Sequence, residues 1–90
     1  MTASKITKVS FTDHCWEEYL YWQDYDKKIL KKVNKLIKDI KRDPCNGIGK
    51  PEPLKFDLSG FWSRRISDEH RLVYRVDNDT LNIIQCRYHY

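Results

Sequence analysis

A chain of 90 residues makes one domain, and a domain this small buries only about 60% of the surface its unfolded chain exposes, which disfavours a deep small-molecule cavity and leaves a shallow surface site as the expectation. Lys and Arg number 17 against 13 Asp and Glu, a net charge of +4 within a densely charged surface, which suits a polyanionic partner such as nucleic acid. Three cysteines with no Cys-x-x-Cys pair argue against a disulfide framework and a structural zinc; no stretch has the apolar length of a signal peptide or a membrane span, so buried or inert thiols in a cytoplasmic protein are expected.

In chain order, residues 1–6 read as a loose leader. Lys8-Val9-Ser10-Phe11 alternates polar and apolar residues and predicts a short strand. Thr12 or Asp13 can cap a following helix, because its side-chain oxygen accepts from the exposed N–H groups there. That helix, through Cys15–Tyr25, is aromatic nearly all round. Trp16, Tyr19 and Leu20 share one face, and Tyr21 and Tyr25 another. So much aromatic surface exceeds what one sheet contact should cover, which predicts a homodimer that buries part of it. Asp26 can cap a second helix, whose Ile29, Leu30, Val33, Leu36, Ile37 and Ile40 trace a single apolar stripe. Lys and Arg cover much of its remainder. Pro44 ends it, since the residue before a proline disfavours the α region.

Residues 43–53 hold all three prolines and two of the three glycines, a loop long enough in so small a domain to suggest a function. Beyond it, Leu54–Leu58, Phe61–Ser67, His70–Val76 and Leu81–Tyr88 read as strands. Turns fall at Ser59-Gly60, Asp68-Glu69 and Asp77-Asn78-Asp79. The order β-α-α-β-β-β-β predicts an α+β two-layer fold. An αα-hairpin packs on one face of a twisted, mainly antiparallel sheet and leaves the other face open for binding.

Residues able to do chemistry cluster late in the chain, in Lys50–Lys55, Trp62-Ser63-Arg64-Arg65, His70-Arg71 and Arg87-Tyr88-His89-Tyr90. Metal-independent RNA cleavage needs a base for the ribose 2′-OH, an acid for the leaving 5′ oxygen, and cations on the phosphoryl oxygens. Glu52, His89, Arg65, Arg71 and Lys55 are of those types. Two flanking prolines restrict the backbone of Glu52. Each residue also has a plainer reading: a solvated loop carboxylate, an exposed imidazole near a chain end, surface arginines. Spacing alone selects none of them. His14, His70 and His89 lack paired ligand spacing, so neither a metal nor another cofactor is expected.

Four blocks, Gly49–Lys55, Leu58–Ile66, Glu69–Tyr74 and Cys86–Tyr90, occur in order and, with Glu18–Gln23 and the Lys-rich helix, resemble the YoeB toxins of the RelE/ParE superfamily. The resemblance runs from Lys8 to Tyr90. It implies the toxin of a type II toxin–antitoxin pair, a ribosome-dependent endoribonuclease that cleaves messenger RNA in the A site. It implies a YefM-type antitoxin that also binds the operator DNA. It carries the general base onto Glu52, the general acid onto His89, and phosphate contacts onto Arg65 and Arg71. Lys55 becomes a supporting cation and Tyr90 a C-terminal aromatic, with Arg87 in the same basic terminus. Two other classes stay open: a ParE-like toxin that acts on gyrase without an acid–base pair, and a basic module that only binds RNA or assists repression.

Strand register adds a geometric condition. Two-residue loops at Asp68-Glu69 and Asn78-Asp79 would pair Ile66 with Arg71 and Arg71 with Cys86. Arg65 and Arg87 would then point away from Arg71, because side chains alternate faces along a strand. A shared surface for these cations predicts an odd-length loop or a bulge in each hairpin.

Overall fold

The computed structural model describes residues 5–88. Strand β1 is Lys8–Phe11, helix α1 Asp13–Tyr25, helix α2 Lys27–Arg42, β2 Glu52–Pro53, β3 Trp62–Arg65, β4 Arg71–Asp77 and β5 Thr80–Gln85. Thr12 caps α1, its Oγ1 accepting from the Cys15 N–H at 3.1 Å. One residue joins the helices: the Asp26 N–H donates to Trp22 O, and its carboxylate accepts from the Ile29 N–H at 3.1 Å. A residue that ends one helix and caps the next makes the tight αα-hairpin.

The sheet runs β1-β5-β4-β3-β2, with β1 parallel to β5 and the other neighbours antiparallel. Both helices cover one face. Val33, Leu36 and Ile40 of α2 meet Leu72, Tyr74, Leu81 and Ile83 from the sheet in one core. Helix α1 buries Cys15, Glu18 and Trp22, which is neither of its aromatic faces, and leaves Trp16 and Tyr25 44% and 75% exposed. A carboxylate in the buried stripe breaks the apolar periodicity that sequence reading relies on. The core also draws on the expected leader. Ile6 is buried, and the Thr7 and Lys8 N–H groups both donate to Asp79 O.

Leu54–Leu58 is not a strand. Pairing with β3 covers only Glu52↔Ser63 and Pro53↔Trp62, and Phe56–Leu58 forms a 3-10 turn. Phe56 has φ +57°, in the left-handed region that no strand contains. The register condition is met in both hairpins. Arg65 pairs directly with Arg71 across the odd-length connection 66–70. In the next hairpin Asp77 pairs with Thr80, but Tyr74 faces Ile83 while Val73 faces Gln85, so Ile84 is an extra residue in a bulge.

Arg64, grouped above with the residues able to do chemistry, is wholly buried. Its Nε donates to Tyr74 Oη at 3.2 Å, and its Nη1 to Asp39 Oδ2 at 2.6 Å and Ile48 O at 3.1 Å. Its Nη2 donates to Asp43 O at 2.6 Å and Asn46 O at 3.2 Å. One guanidinium thus pins the end of α2 and the loop after it to β3. Asp39 is held down to about 2, from an ordinary 3.8, by hydrogen bonds from Arg42, Arg64 and the Ile48 N–H. A carboxyl with a depressed folded pKa stabilises the fold above its unfolded pKa, and that contribution is lost as pH falls through the folded value. The stability gap between the wild type and Asp39→Asn is therefore expected to be constant above about pH 5 and to shrink towards about pH 2. Urea titrations along that range check it, and a gap independent of pH would remove the assigned cause.

Candidate active site

The open face is set by strand alternation. Ser63 and Arg65 project from one side of β3, and Arg71 and Val73 lie opposite them on β4. Glu52 pairs with Ser63 and so joins the same row. Lys50, Pro51, Glu52, Ser63, Arg65 and Arg71 line a shallow cavity of about 250 Å³, with the buried Ser63 as part of its floor.

The loop lies against β3 because of Gly49. Its carbonyl accepts from the Arg65 N–H at 2.6 Å. Its φ is +79°, and a Cβ there would sit 2.8 Å from Leu36 Cδ2 and 3.0 Å from Arg65 O. Only glycine combines that backbone with that approach. Lys50 and Glu52 reach the cavity as a consequence. On the other side, Arg71 Nη1 donates to Ser67 O at 2.6 Å and to His70 O at 3.1 Å, so the carbonyls of the 66–70 turn hold its guanidinium at the rim. Arg65 Nη1 stands 3.6 Å from the exposed carboxylate of Asp68, a pair of little energetic weight in water. Three cations, Lys50, Arg65 and Arg71, thereby share one cavity with a carboxylate, a setting for a phosphate beside a group that could take a proton.

Of the residues singled out in the sequence, Glu52, Arg65 and Arg71 meet in this cavity. Lys55 lines an adjoining groove that shares Glu52 and is completed by Pro53, Leu54, Phe56 and Leu58. Arg87 does not join them. Strand β5 ends at Gln85, and the Arg87 guanidinium lies 3.6 Å from the centre of the Tyr21 ring of α1. The bulge supplies the register that Arg87 needed, but the strand stops before using it. Cation–π contact then holds the side chain against the helix. His89 and Tyr90 lie outside the described residues. Lys50 lines the cavity although the sequence motif that contains it gives it no role; its neighbour Gly49 is the available clue.

Cys15, Glu18 and Cys86 bring their ligand atoms within 4.8 Å of one another and are all buried. They suit a closed core better than a metal centre. Glu18 Oε1 is already engaged by the Cys86 N–H at 2.8 Å, and a hydrogen bond with the Cys86 thiol, together with burial, pushes the Cys15 thiol far up. A metal ligand needs the thiolate. No helix among the described residues is long and apolar enough to cross a membrane.

Residues 11–90 match the family described as the YoeB-like toxin of bacterial type II toxin–antitoxin systems. "Toxin YoeB" of Escherichia coli K12 is 61% identical over 83 residues, covering 92% of this chain and 99% of that protein. The solved YoeB dimer from Staphylococcus aureus superposes with a TM-score of 0.88 at 48% identity, over 97% of this chain and 100% of that one. A heterotetrameric YoeB–YefM toxin–antitoxin complex from the same organism gives 0.87 at 48% identity, with the same coverage. A cationic cavity built from the loop and strands that carry the resemblance, on a fold shared almost end to end with these toxins, leaves one assignment: the chain belongs to the YoeB-like toxins of bacterial type II toxin–antitoxin systems.

Proposed function

We propose that this toxin is an endoribonuclease that cleaves messenger RNA in the ribosomal A site by metal-independent acid–base chemistry. The observation that carries the reading is the convergence of Glu52 with Lys50, Arg65 and Arg71 in one shallow cavity on the open sheet face. Glu52 takes the proton of the ribose 2′-OH, whose oxygen attacks the adjacent phosphorus in line. The bond from phosphorus to the 5′ oxygen breaks, and His89 protonates the leaving oxygen. Arg65 and Arg71 stabilise the charge on the phosphoryl oxygens, supported by Lys55 from the adjoining groove, with Tyr90 against the RNA. The products are a 2′,3′-cyclic phosphate, or the 3′-phosphate that its hydrolysis gives, and a 5′-OH. A cavity open on one side suits a strand held by a larger particle. The Lys-rich face of α2 provides sequence-independent, salt-sensitive contact with ribosomal RNA.

The partner that neutralises the toxin is an antitoxin of the YefM type, through which operator DNA is reached. An acidic and apolar segment pairing with the arginines suits this face, whereas Trp62, expected as its aromatic anchor, lies on the opposite side of β3 and packs against the core. The exposed Trp16 and the neighbouring Phe11 and Tyr19 rings, with Trp16 and Tyr19 stacked 5.6 Å apart, suit a homodimer contact. The solved S. aureus dimer and YoeB–YefM complex support both partners. Cell-free translation tests the reading. Wild-type protein is expected to halt synthesis with truncated messenger, and Glu52→Gln to leave messenger and synthesis largely intact. Arrest with intact messenger would refute it.

A further inference from the structure

The last described residues are held in an unusual way. After β5 ends at Gln85 the chain leaves the ladder, yet side chains of other elements receive its backbone groups. The Cys86 N–H donates to Glu18 Oε1 at 2.8 Å, and Cys86 O accepts from Trp22 Nε1 at 2.9 Å, both buried. The Tyr88 N–H donates to His70 Nδ1 at 2.7 Å. Tyr88 O accepts from the Arg71 N–H at 3.0 Å. Two residues one helical turn apart on α1 thus grip both backbone polar groups of a single residue, Cys86. Two residues further on, the chain arrives at Arg71, a wall of the cavity.

We propose that Glu18 and Trp22 are positioning residues of the cleavage reaction: by fixing the Cys86 backbone they set the path on which the chain reaches Arg71 and brings the Tyr88 carbonyl onto the Arg71 N–H, which holds Arg71 in place beside the cavity. The inference rests on the nuclease reading above. Two observations favour it over simple core packing. A carboxylate is a costly group to bury, and an apolar residue of similar size would fill the space without that cost. What a carboxylate adds is an acceptor for the Cys86 N–H at the point where the ladder stops supplying one. Trp22 matches it with a donor, although its ring also packs on His70 with centroids 4.7 Å apart. Misplacing a catalytic cation such as Arg71 by about 1 Å can cost on the order of a hundredfold in rate, so a harness of this kind acts on chemistry more than on binding.

The test uses full-length toxin on programmed ribosomes, with single-turnover cleavage measured against ribosome concentration. Trp22→Phe keeps an aromatic ring and deletes the N–H donor. Glu18→Ala deletes the acceptor, and Glu18→Gln keeps one. Trp22→Phe and Glu18→Ala are expected to lower the saturating rate by about tenfold to a hundredfold while leaving the half-saturating ribosome concentration within about threefold. Glu18→Gln is expected to recover most of the loss. Melting curves check folding, and Trp22→Phe carries the test if Glu18→Ala does not fold. A folded Trp22→Phe that cleaves at the wild-type rate overturns the inference, as does a Glu18→Gln no better than Glu18→Ala. A wild type that cleaves nothing overturns the nuclease reading itself, which keeps the two failures apart.

Discussion

Arg71→Met is expected to lower the single-turnover cleavage rate on saturating ribosomes by about 10²- to 10³-fold, with ribosome affinity little changed. The size follows from what removing one fixed donor to a developing anion costs elsewhere in catalysis. The position follows from the geometry. Arg71 lines the cavity beside Glu52 and Arg65, and the carbonyls of Ser67 and His70 fix its Nη1 at 2.6 and 3.1 Å, so it need not be organised when charge develops on the phosphate. Arg71→Lys is expected to restore only part of the rate. An ammonium keeps the charge but lacks the planar fork that can engage a turn carbonyl and a phosphate together. A folded Arg71→Met that cleaves at full rate would take Arg71 out of the reaction.

Arg64→Met is expected to destabilise the fold by about 3–5 kcal/mol, the usual cost of breaking a buried ion pair. In a domain of this size that is a fall in Tm on the order of 10–30 °C. Five hydrogen bonds from one guanidinium disappear, and the acceptors on Ile48, Asp43 and Asn46 lose the group that ties the loop to β3. The matching change next door, Arg65→Met, is expected to cost less than about 1 kcal/mol, because its pair with Asp68 is solvated. Activity should sort the other way at a temperature where both variants are folded, with Arg65→Met the more impaired. Thermal melts of the two variants make the comparison. Equal Tm values would show that the buried network does not hold the loop.

The two adjacent arginines also mark where sequence reading reached its limit. Side-chain alternation is a strict two-residue period, so the condition that places Arg65 and Arg71 on one face could be written down before any coordinates. The direct Arg65↔Arg71 pairing and the bulge at Ile84 meet it. The apolar stripe of α2, its Asp26 cap and its stop before Pro44 were legible for the same reason: they are local, and each has a periodic or steric signature. Arg64 gave no such sign. A guanidinium reads as surface until the partners that bury it, from Asp39 to Tyr74, are brought together by the fold. Glu18 is a similar case, a carboxylate inside a buried stripe where hydrophobic patterning sees a break. The expected strand at Leu54–Leu58 failed because Phe56 takes a left-handed conformation that its residue type does not announce. Arg87 departs from the expected face because side chains of α1 take the backbone groups of Cys86 and end the strand continuation that alternation alone predicts. In the loop, two flanking prolines mark Glu52 as a restrained carboxylate without selecting it over a solvated one; the resemblance supplies its role, and Glu52 lines the cavity.

The most direct measurement is to map the termini of messenger recovered from programmed ribosomes after exposure to the toxin and to Glu52→Gln. Wild-type protein is expected to leave a 5′-OH on the downstream fragment and, upstream, a 2′,3′-cyclic phosphate or the 3′-phosphate from its hydrolysis, at the codon in the A site. The cyclic end arises only when the neighbouring 2′ oxygen displaces the 5′ oxygen. Glu52→Gln is expected to cut about 10²- to 10⁴-fold more slowly at the same codon, since it loses the base and keeps the cationic cavity. Fragments carrying a 5′-phosphate and a 3′-OH, or a Glu52→Gln variant that cleaves at the wild-type rate, would contradict the central claim.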